Sequence, residues 1–521
     1  MDSDVGRETP GLPVIDIDAM RRHLAARCGR EVQCIETHIS WVLLDGEHAW
    51  KLKKPVQLGF VDFSTLAARR HFCNEELRLN RRLAPQLYLG VVPVRGTPDA
   101  PLLGGDGEAI EVALQMRQFA ADALLGQQLA AGTLTAAHID HLAARLAAFH
   151  AAAPEADAHG PWGTPAAVAE SFVATLDRLA ARGAEVQALR RWFDAVVPSL
   201  APLWQQRLAD GHVREGHGDL HLDNLIVLDD GGVTAFDCIE FDPALRWIDM
   251  QSDIAFTVMD LLAHRRADLA WRFLNAWLDA TGDHAGLPVL RSCLVQRALV
   301  RALVARIRAG QGAASDATAP DYLALAHELA VERPEPRLVI THGLAGSGKS
   351  RLAQQLLERS GALRLRADVE RKRLFGLAPL EVSSGAQRGR LYGAQANQRT
   401  YAHLLGLART ALTAGWPVIV DAAFLRRAER DAFGALADEL GVPFQVIDCQ
   451  AAPDVLRQRV RERSARGDDA SEADEAVLAQ QFARDEPLMA DELGRAIVVR
   501  TDAAVDLAAL LMRMRRMGRT D

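Results

Sequence analysis

Residues 337–350, RLVITHGLAGSGKS, decide the fold of the second half of the chain. An apolar run leads into the pattern G-x-x-x-x-G-K-S, and a helical pattern follows it. Glycines let backbone N–H groups turn inward around phosphate oxygens, and the helix N-terminus adds a favourable dipole. The lysine of the pattern neutralises the outer phosphates, and the serine can ligate magnesium. The stretch therefore predicts a nucleotide-binding loop formed by Gly343, Gly346, Ser347, Gly348, Lys349 and Ser350.

The sequence around this loop alternates between β and α patterns. Pro334 and Pro336 end the preceding helical pattern, so a domain boundary is predicted at 333/334. Helical patterns separate the strands that follow. The predicted strands are 338–342, 363–367, 417–421, 444–449 and 496–501. Such alternation predicts a parallel sheet covered by helices on both faces.

Three further features of this half suit phosphoryl transfer. Asp421 ends a strand, where it is either an acid near magnesium or an ordinary turn residue. Asp368 follows another strand, and is either the acceptor of a hydroxyl proton or a helix N-cap. One face of a predicted helix carries Arg459, Arg463 and Arg466. This face either binds phosphate or is an ordinary basic surface exposed to solvent.

Residues 336–521 resemble a family of P-loop kinases. The phosphate loop, RADVERKRLFG (366–376), VIVDAAFLRRAER (418–430) and the arginine-rich helix carry the resemblance. The family is a predicted AAA-type kinase group, related to zeta toxins, polynucleotide 5′-kinases, gluconate kinase and chloramphenicol phosphotransferase. The resemblance implies transfer of a phosphoryl group from ATP to a hydroxyl. It implies that Lys349 and Ser350 bind nucleotide and magnesium, that Asp368 is the base, and that Arg463 is the lid arginine.

The first half has its own constellation in HGDLHLDNLIVLDDGGVTAFDCIEFD, residues 217–242. Asp219 and Asn224 lie five residues apart just before a predicted strand, and Asp237 closes the partner strand of the same hairpin. This spacing lets one Asp contact an acceptor hydroxyl while the Asn and the second Asp hold magnesium. His217 would brace the loop. Ordinary turn chemistry is the alternative interpretation.

This segment resembles the aminoglycoside phosphotransferase family, which has a protein-kinase-like fold. The resemblance implies that Asp219 is the catalytic base and that Asn224 and Asp237 are magnesium ligands. The glycine-rich phosphate loop of that fold is missing from this sequence. Thr37 and Ser40, between the first two predicted strands, are the candidate phosphate donors in its place.

The same resemblance assigns an upstream lysine and acid to the nucleotide. The pattern A-x-K ends at Lys51, with Lys53 on the same strand face as the second choice. Glu76 fits the partner acid on the following helix, and Glu75 fits less well. Asp253 resembles a later structural acid of the family.

Composition and net charge argue against several other classes of function. The chain has 521 residues, with 60 Lys and Arg against 68 Asp and Glu, for a net charge of −8. This balance disfavours general binding to nucleic acid or to an anionic membrane. The six cysteines include no C-x-x-C pair, so reduced thiols in a cytoplasmic protein are expected. The first residues do not resemble a signal peptide, and no apolar run is long enough to span a membrane.

The sequence thus predicts a multidomain protein of α/β and α+β class. Residues 1–333 form a bilobal protein-kinase-like domain, with lobes at about 30–116 and 117–333, and residues 334–521 form a P-loop parallel-sheet domain. The predicted function is a bifunctional ATP- and Mg²⁺-dependent phosphotransferase with one active site in each domain. Its predicted partner is a small-molecule hydroxyl acceptor. The alternatives are a nucleic-acid 5′-hydroxyl kinase and an NTP-binding sensor with a pseudokinase-like first half.

Overall fold

The computed structural model describes residues 15–58, 61–310, 319–332, 335–384, 387, 390–466 and 469–517. The chain forms two compact units. The first contains the described residues up to Ala167 together with Leu208–Asp253, and the second contains Val168–Arg207 and the described residues from Ile254 onward. The predicted boundary at 333/334 and the N-terminal segment considered as a signal peptide lie outside the described residues. The two predicted domain ranges stay a prediction.

The first unit begins with an antiparallel sheet. Its strands are Gln33–Glu36 (β1), Ser40–Leu44 (β2), His48–Lys53 (β3), Tyr88–Thr97 (β6), Ala100–Leu103 (β7) and Glu111–Arg117 (β8), and the short strands Gln57–Leu58 (β4) and Val61–Asp62 (β5) pair with each other. The order across the sheet is β1-β2-β3-β8-β6-β7. A tight turn joins β2 to β3, in which Gly46 adopts a φ of 94° and Asp45 accepts the backbone N–H of His48 at 2.7 Å.

Helices and a second hairpin complete this unit. The helices are Ile17–Cys28 (α1), Leu66–Asn80 (α2), Leu125–Ala130 (α3), Ala136–Ala152 (α4) and Pro243–Arg246 (α7), and the strands are Val213–Glu215 (β9), Leu225–Val227 (β10), Val233–Ala235 (β11) and Trp247–Asp249 (β12). Strand β10 pairs with β11, and β9 pairs with β12. A 3-10 turn, Leu222–Asn224, leads into β10. Thr65 caps α2 by accepting the Ala68 N–H at 3.1 Å.

Helices also form the connection to the phosphate loop, as the sequence pattern predicts. They are Pro165–Ala180 (α5), Gln187–Ala209 (α6), Met250–Ala263 (α8), Ala267–Thr281 (α9), Leu287–Gly310 (α10) and Tyr322–Val331 (α11). Within the part of the chain that the structure describes, no helix combines the length and the apolar character needed to cross a membrane.

The second unit contains a parallel sheet. Its strands are Leu338–His342 (β13), Leu363–Arg366 (β14), Val418–Asp421 (β15), Phe444–Gln450 (β16) and Ala496–Arg500 (β17). They are ordered β14-β15-β13-β16-β17 and all pair in parallel. The accompanying helices are Lys349–Ser360 (α12), Ala367–Leu374 (α13), Ala394–Thr413 (α14), Arg427–Leu440 (α15), Pro453–Arg466 (α16), Glu475–Arg484 (α17), Ala490–Leu493 (α18) and Leu507–Met517 (α19).

The burial of the parallel sheet explains why its strands are nearly all apolar in sequence. Val339, Ile419, Ile447 and Ile497 are buried against side chains of α12 and α19. Helices α14 and α15 also contact the sheet. A parallel sheet buried in this way requires nearly continuous apolar strands, which is the pattern that predicted it. The five predicted strands and the mixed fold class are confirmed.

Candidate active sites

The backbone of the phosphate loop adopts positive φ angles at three positions, and each of these positions is a glycine. Gly343, Gly346 and Gly348 adopt φ values of 136°, 80° and 83°. A Cβ atom on Gly343 would lie 2.5 Å from the carbonyl oxygen of Cys449, so a larger residue would displace the loop. Helix α12 begins at Lys349, immediately after the loop. Its unpaired N–H groups therefore face the loop, where an anion is favoured.

The polar side chains of the loop face the ends of the strands. Lys349 Nζ donates to the Leu344 carbonyl oxygen at 2.8 Å and lies 3.4 Å from Ser347 Oγ. Ser350 Oγ donates to Asp421 Oδ1 at 3.1 Å. Burial lowers the pKa of Lys349 and raises the pKa of Asp421. A hydroxyl and a carboxylate are thus held together beside a buried ammonium group.

The Ser350 hydroxyl and the Asp421 carboxylate are suitable ligands for the Mg²⁺ that accompanies a bound nucleotide. Among the described residues, no group of three or more His, Cys, Asp or Glu is arranged to hold a metal by itself. Magnesium in kinase sites takes one or two carboxylates and completes its shell with phosphate oxygens and water. Ser350 and Asp421 supply that partial donor set next to the glycine cradle.

A cavity of about 630 Å³ opens beside the loop. Its lining brings together Lys349, Ser350, Asp368, Asp421, Arg459, Arg463 and Arg466. Helix α13 begins at Ala367, and its N-cap is Arg366, so the N-cap alternative for Asp368 is wrong. Lys372, which the sequence places beside Asp368, points elsewhere: its Nζ lies 3.1 Å from Glu472 Oε1.

Helix α16 divides its arginines between two faces. Arg457 pairs with Asp454 and Arg461 pairs with Glu475, both on the exposed side. Arg459 instead contacts the phosphate loop, donating to the Gly346 carbonyl oxygen at 3.2 Å. Arg463 lines the cavity and donates to the Ala473 carbonyl oxygen at 2.8 Å. The spacing that put Arg459, Arg463 and Arg466 on one face therefore corresponds to the cavity side of the helix.

The second site, in the first unit, contains the predicted lysine and acid. Lys51 Nζ lies 2.7 Å from Glu76 Oε1 and 2.7 Å from Asp237 Oδ1. Lys53 Nζ lies 2.7 Å from the other oxygen of Glu76 and also pairs with Glu240. Burial would raise the pKa of Glu76, but the two ammonium groups outweigh it and lower that pKa to about 2. The sequence left Lys51 and Lys53 as alternatives, and both lysines pair with Glu76.

Asp219 and Asn224 are joined directly. Asn224 Nδ2 donates to both the Asp219 carbonyl oxygen and Asp219 Oδ2, each at 3.0 Å. His221 Nε2 lies 3.3 Å from the same carboxylate. Asp237 has a φ of 61°, a left-handed conformation that Asp tolerates better than most residues. The loop thus holds the Asp219 carboxylate against the Asn224 amide, and the end of the hairpin places the Asp237 carboxylate against Lys51.

Asp253 is hydrogen-bonded to the backbone of the loop that contains Asp219, in agreement with the structural role predicted for it. Its carboxylate accepts the backbone N–H of His217 at 2.8 Å and of Gly218 at 2.9 Å, and it lies 3.1 Å from His150 Nε2. His217 Nε2 in turn lies 2.9 Å from the Phe236 carbonyl oxygen, which ties the loop to the hairpin. Nothing in the local sequence pattern pointed to His150, which lies on α4.

Of the two candidate phosphate donors between β1 and β2, Thr37 is hydrogen-bonded through its side chain within its own turn. Thr37 Oγ1 donates to the Ser40 carbonyl oxygen at 3.1 Å and accepts the Ser40 N–H at 3.0 Å. The Ser40 side chain is fully buried. Their role toward phosphate stays a prediction.

The parallel sheet and its glycine loop define the class of protein to which the second half belongs, a P-loop nucleotide-binding domain. A family profile described as an AAA domain matches residues 338–488. The chain is 31% identical over 457 residues to the uncharacterized protein Rv2004c of Mycobacterium tuberculosis (strain H37Rv). The aligned region covers 86% of this chain and 89% of Rv2004c. It belongs to the same family as Rv2004c.

Two solved structures are each similar to a part of the chain. A putative kinase from Chloroflexus aurantiacus is 24% identical, covers 35% of this chain and 99% of its own, and has a TM-score of 0.29. A choline/ethanolamine kinase family protein from Mesorhizobium loti is 13% identical, covers 61% of this chain and 95% of its own, and has a TM-score of 0.36. The fold assignment rests on the topology and the site geometry described above.

Proposed function

We propose that the chain is an ATP- and Mg²⁺-dependent phosphotransferase that transfers the γ-phosphoryl group to hydroxyl groups of small molecules, with one active site in each half. The observation that carries this proposal is the single cavity that Lys349, Ser350, Asp421, Asp368 and Arg463 share. Phosphoryl transfer requires little covalent chemistry from the protein, so positioned charges around one cavity are what such a site needs.

In the P-loop site, each residue has a distinct task. The glycine loop and Lys349 bind the phosphates, and Ser350 with Asp421 would hold magnesium. That ion, when bound, neutralises charge on the transferred group. Asp368 accepts the proton of the acceptor hydroxyl, and Arg463 stabilises negative charge on the cavity side of α16.

The protein-kinase-like site uses an equivalent set on another fold. Asp219 accepts the hydroxyl proton, and the Asn224 amide holds its carboxylate in place. Asn224 and Asp237 would hold magnesium, and Lys51, oriented by Glu76, contacts the nucleotide phosphates. The aminoglycoside phosphotransferase likeness of residues 217–242 supports this assignment.

The test uses the full chain, a metabolite panel and γ-labelled ATP. The panel includes aminoglycosides, sugars, amino alcohols and a 5′-hydroxyl oligonucleotide. We expect Lys349→Ala to abolish labelling of one acceptor and Asp219→Ala to abolish labelling of another. Arg457→Ala, on the exposed side of α16, is the control and should leave both intact.

The outcomes separate the proposal from its alternatives. Labelling of the oligonucleotide in place of any metabolite would identify a nucleic-acid kinase. Nucleotide binding without turnover in either site would identify a sensor. If Asp219→Ala leaves all labelling unchanged while Lys349→Ala abolishes it, the chain has one active site, and the bifunctional proposal is wrong.

A further inference from the structure

Helix α9 precedes the P-loop sequence by more than 50 residues in the chain, yet it contacts the edge strand of the parallel sheet. Asn275 accepts the backbone N–H of Arg364 at 2.7 Å and donates to the Ala362 carbonyl oxygen at 3.2 Å. These two bonds satisfy the N–H of Arg364 in β14 and the carbonyl oxygen of the residue just before the strand, groups that an edge strand can leave unpaired. One turn later, Asp279 Oδ2 lies 3.1 Å from Arg364 Nη2 and 3.6 Å from Arg366 Nη1.

Arg364 and Arg366 lie between Asp279 of α9 and the predicted magnesium ligand Asp421. In the pairing of β14 with β15, Arg366 is the partner of Asp421. Arg364 is buried, and Arg366 lines the cavity together with Asp368. Burial raises the pKa of Asp421, and both arginines act against it. Asp279 and Asp469 are the carboxylates that pair with these arginines.

We propose that Asp279 is a positioning residue of the P-loop site, acting through Arg364 and Arg366 on the Asp421 end of the sheet. This inference rests on the proposed nucleotide-binding function of that site. Asp279 compensates positive charge next to Asp421, which leaves the Asp421 carboxylate able to attract a divalent cation. It also holds the Arg366 guanidinium at the cavity wall.

The charges around Asp421 determine the direction in which removal of Asp279 changes binding. Without Asp279, Arg364 loses its carboxylate partner while Arg366 keeps Asp469, so the less compensated arginines repel a divalent cation from Asp421 more strongly. The same uncompensated charge attracts the anionic nucleotide. Removing Asp279 should therefore weaken binding that depends on magnesium but should not weaken binding of the nucleotide alone. A purely structural defect would weaken both.

The experiment measures binding of a fluorescent ATP analogue to the full chain. All proteins carry Asp237→Asn, and the P-loop signal is the part that Lys349→Ala abolishes. We expect Asp279→Asn to raise the Mg²⁺ concentration for half-maximal binding by about three- to tenfold, without weaker binding in EDTA. Asp279→Glu should stay within about twofold of the parent. Glu358→Gln is the matched control, because it breaks the 2.7 Å ion pair between Arg272 of α9 and Glu358 of α12 without touching β14.

A compensating variant strengthens the test. Asp279→Asn/Arg366→Gln loses one charge of each sign, so its Mg²⁺ requirement should return toward that of the parent. If Asp279→Asn fails to fold, Arg366→Gln alone decides, and we expect it to lower the Mg²⁺ requirement.

Each remaining outcome overturns a specific statement. Absence of any Lys349-dependent signal in the parent would contradict the proposed function of the P-loop site. A parent that needs Mg²⁺, together with an Asp279→Asn variant that behaves like Glu358→Gln, would overturn this inference alone. Equal weakening in Mg²⁺ and in EDTA, or an unchanged requirement in Arg366→Gln, would also overturn it.

Discussion

Lys53 is the residue at which the candidate site in the first unit departs most from a simple lysine–glutamate pair. Its side chain is 0% exposed, and it pairs with Glu76 and Glu240. Lys51, two residues earlier, shares Glu76 and reaches Asp237. A buried carboxylate next to a second buried carboxylate is unfavourable unless cations compensate both. Lys53 therefore keeps Glu76 ionised and in place for Lys51.

This arrangement predicts a large stability cost for Lys53→Met. The substitution leaves Glu76 and Glu240 buried with only Lys51 nearby, so we expect a loss of about 3–5 kcal/mol in the free energy of unfolding. Lys54→Met is the control, because Lys54 pairs with the exposed Glu36 and should cost at most about 1 kcal/mol. Urea denaturation followed by circular dichroism measures both. Equal losses in the two variants would contradict the compensating role of Lys53.

Local spacing accounts for what could be predicted at the residue scale. Asp219 and Asn224 lie in one short loop, and their hydrogen bonds follow from that loop. The aminoglycoside phosphotransferase likeness, placed on the strand and helix patterns, implied the pairing of Lys51 with Glu76. The Glu240 contact of Lys53 and the His150 contact of Asp253 join residues more than 100 positions apart. Such contacts depend on tertiary packing, which spacing does not encode.

Helix α16 shows what an element-level pattern can decide. A helical period of 3.6 residues sorts its arginines into a cavity face and an exposed face without any knowledge of the tertiary structure. The period could not show that Arg459 braces the phosphate loop through the Gly346 carbonyl oxygen. Nor could it show that Lys372 of α13 turns toward Glu472, because both depend on which elements become neighbours.

The two faces of α16 predict different effects of the same substitution. Arg463→Ala removes a cation from the cavity wall, so we expect the rate of phosphoryl transfer at the P-loop site to fall by at least about 100-fold. Arg457→Ala, six residues earlier on the exposed face, should change that rate by less than about twofold. Steady-state kinetics with the acceptor identified for this site measures both. A comparable loss in the two variants would show that the helix contributes only general basic charge.

At the scale of the whole molecule, the second unit includes helices that the sequence assigned to the first domain. Trp416 Nε1, in the P-loop half, donates to the Leu287 carbonyl oxygen at the start of α10 at 3.1 Å. Arg364 and Arg366 pair with Asp279 of α9. The chain pattern marks where helices end but not which sheet they pack on, so this grouping could not be predicted from the proline pair at 334 and 336.

The grouping predicts that a nucleotide bound at the P-loop stabilises α9 and α10 as well as the parallel sheet. Ligand binding stabilises every part of a cooperative unit, by about 2.7 kcal/mol at a concentration of 100 times the Kd. With a non-hydrolysable ATP analogue and Mg²⁺, we therefore expect slower hydrogen exchange in 267–310 as well as in 338–374. The measurement uses the full chain with Asp237→Asn, and the Lys349→Ala variant should lose the effect in both regions. Protection confined to residues after 335 would show that the helices and the P-loop domain open independently, and that the boundary predicted from the prolines is the functional one.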